Sequence, residues 1–157
     1  MSVRKKLFEE AVRNEILSQK LYLMLAESFK PKPEISEILM RLCSMEQGHE
    51  EKLRAMFSRQ FPGEEIDAGA DITPKLTLSD INNPVEVLEF AITRETIAAD
   101  IYHKMALLST DEDLSNLVEE LAADEENHRV ILEEEILRLD GLITWYDPSE
   151  LNGLVED

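Results

Sequence analysis

The chain nearly repeats itself. Glu15 recurs as Glu95 and Tyr22 as Tyr102 at an offset of 80, while Glu46 recurs as Glu125 and His49 as His128 at an offset of 79. Apolar neighbours follow closely: Ala11 matches Ala91, Ala26 matches Ala106, Leu42 matches Leu121 and Leu53 matches Leu132. A repeat of this length is longer than any single helix or strand, so each half must be a supersecondary unit that buries a shared face against the other. The one-residue change in offset is absorbed between the helices.

Within each half the apolar residues recur at helical spacing. A first helix is predicted over residues 3–29, with Phe8, Ala11, Val12, Tyr22, Leu25, Ala26 and Phe29 on one stripe and Pro31 and Pro33 as its stop. The second, over 34–59, carries Ile35, Ile38, Leu39, Leu42, Leu53 and Met56 and ends before Phe61-Pro62-Gly63. Asn83 as cap, Pro84 and Glu86 open a third helix with Leu88, Ala91, Ile92, Ala98, Ala99, Tyr102, Met105 and Ala106 facing inward. The fourth begins near Thr110 and Asp111, carries Leu114, Leu117, Val118, Leu121, Leu132, Ile136 and Leu139, and ends at Gly141. The fold class is all-α. Short links make two antiparallel hairpins, whereas the Phe61 to Asn83 connection is long enough to cross the bundle and leave the second and third helices parallel. One bundle domain is expected over residues 1–141, with a short tail over 142–157.

Each apolar stripe is interrupted by a carboxylate: Glu15, Glu46, Glu95 and Glu125. Four glutamates in one core, with no Lys or Arg on the same stripes, need another source of positive charge, because a lone buried anion costs several kcal/mol. Bound divalent cations would supply it. His49 and His128 each follow a glutamate by three residues, which puts both side chains on one helix face. Imidazole and carboxylate together suit iron or manganese, and zinc as an adventitious occupant.

The order Glu15, Glu46-x-x-His49, Glu95, Glu125-x-x-His128 resembles that of di-iron carboxylate proteins, above all the rubrerythrin branch of the ferritin-like superfamily, over about residues 3–139. The resemblance implies a ferritin-like four-helix bundle, two antiparallel hairpins joined by a long crossover, holding two Fe ions. It implies that Glu46 and Glu125 bridge the metals or bind them jointly, while Glu15 with His49 and Glu95 with His128 complete the two ends. It further implies an oxidoreductase that reduces peroxide or dioxygen, or oxidises Fe(II), or alternatively a non-catalytic iron-handling protein. Two departures bear on this. Ala98 stands three residues after Glu95, where many rubrerythrins carry a further acidic ligand. With a single cysteine and 16 residues after Gly141, no rubredoxin-like iron domain is expected, and electrons are expected from a separate donor protein. Pro148 and the short remainder argue against the fifth helix of ferritin cages, and a homodimer is the expected assembly by the same resemblance.

Tyr22 and Tyr102 lie seven residues past Glu15 and Glu95 on the same faces, so their hydroxyls are candidates to hydrogen-bond the ligands. Cys43 reads as a small core residue and His103 as a surface histidine. Asp111, Glu112 and Asp113 are expected to cap and complement the fourth helix, and Glu133, Glu134 and Glu135 to form a solvated face. Trp145 and Tyr146 are expected to cover an apolar patch on the bundle or a partner subunit.

Charge narrows the partners. Acidic residues outnumber basic ones by 34 to 16, a formal charge of -18 that repels phosphate backbones and anionic lipid, so neither nucleic acid nor membrane is an expected partner. No apolar run follows the basic residues at the start, and none reaches spanning length. With Cys43 alone no internal disulfide forms, which suits a cytoplasmic location.

Overall fold

The computed structural model describes residues 2–69, 72, 84–139 and 141. They form four helices, α1 (Val3–Ser28), α2 (Pro33–Gln60), α3 (Pro84–Leu108) and α4 (Glu112–Leu139), with no strand among the described residues. Local chemistry sets the boundaries. The Ser2 hydroxyl accepts from the Lys5 N–H at 3.1 Å and caps α1. Pro33, expected as a stop for the first helix, is instead the first residue of α2, where a missing N–H leaves no helical bond unmade. Asp111 caps α4 through the Leu114 N–H at 3.1 Å, and Glu112 and Asp113 complement the helix dipole in its first turn. Gly141 follows α4 at φ 75°, a left-handed turn that suits glycine. The cap expected at Asn83, and the tail with Trp145 and Tyr146, lie outside the described residues.

The core falls into two apolar layers, and their membership gives the helix directions. One layer joins Phe8 and Val12 early in α1 with Leu53 and Phe57 late in α2, Tyr102 and Met105 late in α3, and Leu114 and Val118 early in α4. The other joins Leu25 late in α1, Ile35 and Leu39 early in α2, Val87 and Leu88 early in α3, and Leu132 late in α4. Hence α1 and α4 run one way and α2 and α3 the other. Each fully buried Leu or Phe contributes about 1.5–3 kcal/mol relative to exposure. Between the layers lies a polar one, described below.

The chain from α2 toward α3 runs along α1. Lys5 pairs with Glu64 at 3.0 Å, Glu9 accepts from the Asp67 N–H at 2.9 Å, Arg13 donates to the Ala68 carbonyl at 2.9 Å, and Lys20 donates to the Ile72 carbonyl at 2.7 Å. These partners advance together along α1, so the described part of the connection climbs from the first layer toward the second. Gly69 serves that close approach: its φ is 87°, and a Cβ there would lie 2.6 Å from the Arg13 guanidinium. No helix among the described residues is long and apolar enough to cross a membrane.

Candidate metal centre

Between the two apolar layers every helix turns a carboxylate inward. Glu15, Glu46, Glu95 and Glu125 are each at most 1% exposed, and His49 and His128 at most 3%. The three-residue spacing in α2 and α4 sets each histidine one turn beyond its glutamate and on the same face. The two imidazoles stack with ring centres 6.0 Å apart and planes 9° from parallel.

The six residues form two overlapping groups. Glu15, Glu46, His49 and Glu125 each offer one ligand atom, all within 4.8 Å of one another, and so do Glu46, Glu95, Glu125 and His128. Glu46 and Glu125 belong to both. The ring nitrogen that faces the cluster is Nδ1 in each histidine: His49 Nδ1 lies 2.8 Å from Glu125 and 3.4 Å from Glu46, and His128 Nδ1 lies 3.3 Å from both Glu46 and Glu95.

A buried polar group normally finds a hydrogen-bond partner. Here Glu15 Oε2, both oxygens of Glu46, Glu125 Oε1 and His49 Nδ1 lack one, although oppositely polar atoms lie close by. They approach one another without hydrogen-bond alignment. Such convergence fits a cation at each group, since oxygen and imidazole lone pairs then share one acceptor of charge. The cluster is able to hold metal, and its oxygen and nitrogen donors suit iron or manganese.

Without metal, the electrostatics favour protons in its place. Burial pushes the Glu15 carboxyl well above its ordinary value, and the charge of Glu46 adds to this. Burial and the neighbouring Glu95 push Glu125 up to about 12. Burial also opposes charge on Glu46, but the neighbouring Glu15 and both imidazoles outweigh it and hold this carboxyl below the usual range. Both histidines go up. Burial works against them, yet Glu125, Glu15 and Glu46 raise His49, and Glu46 with Glu95 raises His128 to about 9.

The tyrosines reach ligands of the opposite helix rather than of their own. Tyr22 of α1 donates to Glu95 of α3, and Tyr102 of α3 donates to Glu15 of α1. Seven residues span about 10 Å along a helix, too far for Tyr22 to meet Glu15 directly. A helical side chain leans back toward its N-terminus, so each ring points toward the polar layer, where the antiparallel neighbour presents its glutamate. Burial first, and then these carboxylates, raise both phenols and keep them protonated.

Several polar residues around the cluster escaped the sequence reading. Asp124 Oδ2 lies 3.1 Å from His49 Nε2, the nitrogen turned away from the cluster. That contact orients the ring with Nδ1 inward. His128 Nε2 is buried with no partner. The 79-residue offset places Met45 where Asp124 would be repeated, so a search for repeated polar residues passes over Asp124. Its position directly before Glu125 was the available signal. Gln19 donates to the Glu15 carbonyl at 3.2 Å and to Glu50 at 2.8 Å. Glu135, expected on a solvated face with Glu133 and Glu134, is instead buried and bonded to Arg138 at 2.9 Å. Cys43 is half-buried, its thiol 3.4 Å from the Gln19 carbonyl, and His103 is exposed beside Glu126 at 3.2 Å.

Solved structures share the fold. A hypothetical protein from Pyrococcus furiosus is 26% identical, with 91% of this chain and 93% of that one covered and a TM-score of 0.75. An open-pore ferritin from the archaeon Archaeoglobus fulgidus is 19% identical, covering 98% and 93%, with a TM-score of 0.73. An uncharacterised conserved protein from Magnetospirillum magnetotacticum is 18% identical, covering 88% and 95%, with a TM-score of 0.68. A comparison with curated proteins returns no match. The rubrerythrin family model matches residues 6–136, and with the duplicated glutamate-histidine pattern gathered at the middle of a ferritin-like bundle, the chain belongs to the rubrerythrin family.

Proposed function

We propose that the protein is a di-iron carboxylate oxidoreductase of rubrerythrin type that reduces peroxide or dioxygen, or oxidises Fe(II). The observation that carries this reading is the pair of overlapping four-residue groups sharing Glu46 and Glu125. Two positions with two common carboxylates suit a pair of ions held close together, and four glutamates balance the charge of two divalent cations. Glu15 and His49 would complete one position, Glu95 and His128 the other. When bound, the iron pair supplies electrons and a charged surface for a small oxygen-containing reactant.

The protein's own residues set the conditions. Tyr22 and Tyr102 hold protons against Glu95 and Glu15, which fixes the orientation of both end carboxylates. The apolar layers on either side keep bulk water from the polar layer. Electrons would come from a separate donor protein, and a homodimer in the reducing cytoplasm is the setting that the single free Cys43 and the family resemblance support. Manganese suits the same donors, and zinc would be adventitious.

One observation favours a second reading, iron handling without turnover. Ala98, buried three residues past Glu95, stands where many rubrerythrins place a further acidic ligand, so this centre lacks a ligand to exchange during a reaction. Metal analysis and turnover separate the two. Two irons per chain with peroxide consumption that needs both metal and reductant support the oxidoreductase. Iron that binds and is released, with no peroxide consumed and no Fe(II) oxidised, supports handling.

A further inference from the structure

We propose that divalent cations enter the centre through the flank between α3 and α4, past Asp100 and Glu126, while a hydrogen-bonded Gln19–Glu50 pair closes the equivalent flank between α1 and α2. This rests on the two-metal reading above and adds the path by which the cluster fills.

A cleft of about 100 Å³ lies between α3 and α4, with Glu95 and Glu125 among its lining residues and Asp100, Glu126 and Arg129 on its outer side. Glu95 and Glu125 are each 1% exposed, and Glu125 Oε1 has no hydrogen-bond partner. Two buried cluster carboxylates lining an open cleft are a destination for a cation. Asp100 and Glu126 are exposed, so two carboxylates stand in solvent above two that are buried. Carboxylates outnumber the cationic Arg129 and the imidazole of His103 in this lining, and an acidic recess concentrates cations and steers them inward.

The repeat explains how the two flanks differ. At an offset of 80, Ala99 of the cleft corresponds to Gln19, and at 79, Arg129 corresponds to Glu50. Gln19 spans its flank to Glu50 at 2.8 Å, and Arg54 holds Glu50 from the far side at 2.8 Å. The methyl group of Ala99 cannot span. Arg129 turns instead to Glu133 on its own helix, 3.6 Å away. Two substitutions in the repeat thus convert a bridge into an opening.

The test is the rate at which the metal-free protein takes up Co(II), followed by its visible absorption in a stopped-flow mixer, beside the final stoichiometry. Ala99→Gln with Arg129→Glu transplants the bridge. It makes the mouth more negative, so steering alone would speed uptake, and a slower rate reports blockage. We expect slowing on the order of tenfold with unchanged stoichiometry. Asp100→Asn with Glu126→Gln, both at exposed positions, provides a second arm should the transplant fail to fold. It should slow uptake roughly three- to tenfold at low salt, an effect that shrinks as ionic strength rises. Parental rates in the folded transplant, or in the neutralised pair at low salt, overturn the route. A parent that binds no Co(II) at equilibrium overturns the two-metal reading itself, a result distinct from either.

Discussion

The helix pair α1/α2 and the pair α3/α4 bring the same residues to the centre and surround them differently. Glu15, Glu46 and His49 face Glu95, Glu125 and His128 almost as copies, and even the tyrosine hydrogen bonds are exchanged between the pairs. Beyond the cluster the copies diverge. Asp124 backs His49, while Met45 stands at the corresponding place near His128. Asn14 corresponds to Arg94, and the two bond to each other across the α1/α3 contact. The cluster constrains the groups that touch its centre, because six donors must converge. Residues one position to the side are free of that constraint, and there the halves have drifted.

The sharpest way to break the comparison is at the shared glutamates. Glu46→Gln and Glu125→Gln should each abolish binding of two metals, since each amide removes a donor common to both groups. Without metal they should part. Burial favours the neutral form of Glu125, so its neutral isostere should melt near the parent, whereas the imidazoles favour the anion at Glu46, and losing it should cost about 1–3 kcal/mol. Metal titration and thermal melting of both variants check this. Equal apo stabilities would show that the charge is not held on Glu46.

In the apolar layers the halves should behave alike. Leu53→Ala and Leu132→Ala are equivalent in the repeat and both fully buried, and each should destabilise by about 2–5 kcal/mol in denaturant unfolding. A large difference would mean that one layer repacks and the other does not.

Asp124→Ala should weaken metal at the His49 position by about 10- to 100-fold and leave the His128 position nearly unchanged. Stepwise titration resolves the two, and in the parent the His49 end should fill first. Equal weakening of both steps would show that Asp124 acts on the cluster as a whole.

A further effect concerns pH. His128 and Glu125 have folded-state values raised above their ordinary ones, so the stability they contribute is fully present below those ordinary values and is lost as pH rises toward the raised ones. The metal-free protein should therefore lose stability steadily between about pH 6.5 and 9. Glu46 acts oppositely, but only below about pH 4.3. With metal bound the decline should vanish and affinity should rise with pH, because the ions displace the protons. Melting curves across that range, with and without Mn(II), provide the measurement.

Much of this was legible in the sequence because helical period and buried charge are both local signals. Stripes such as Leu114, Val118 and Leu121 reveal a helix and its inner face, and a glutamate within each stripe marks the polar layer. Contacts between helices were harder to read. Tyr22 was on the right face, but its partner Glu95 depends on how α1 and α3 cross, which no periodicity encodes. Glu135 looked like one of three solvated acids because its burial comes from the salt bridge to Arg138 rather than from an apolar stripe. Pro33 shows a limit of punctuation: the same residue reads as a stop or a start, and only the neighbouring backbone decides.

The layering of the bundle bears on how it comes apart. Two apolar zones sit at the ends and a polar one in the middle, so the metal-free molecule is least cohesive at its centre, where buried polar atoms lack hydrogen-bond partners. Amide hydrogens should then exchange slowly in two separate blocks, around Phe8 and Leu53 at one end and around Leu25 and Leu39 at the other, with a faster band between them. Filling the centre would join those blocks into one cooperative unit, and the band should disappear.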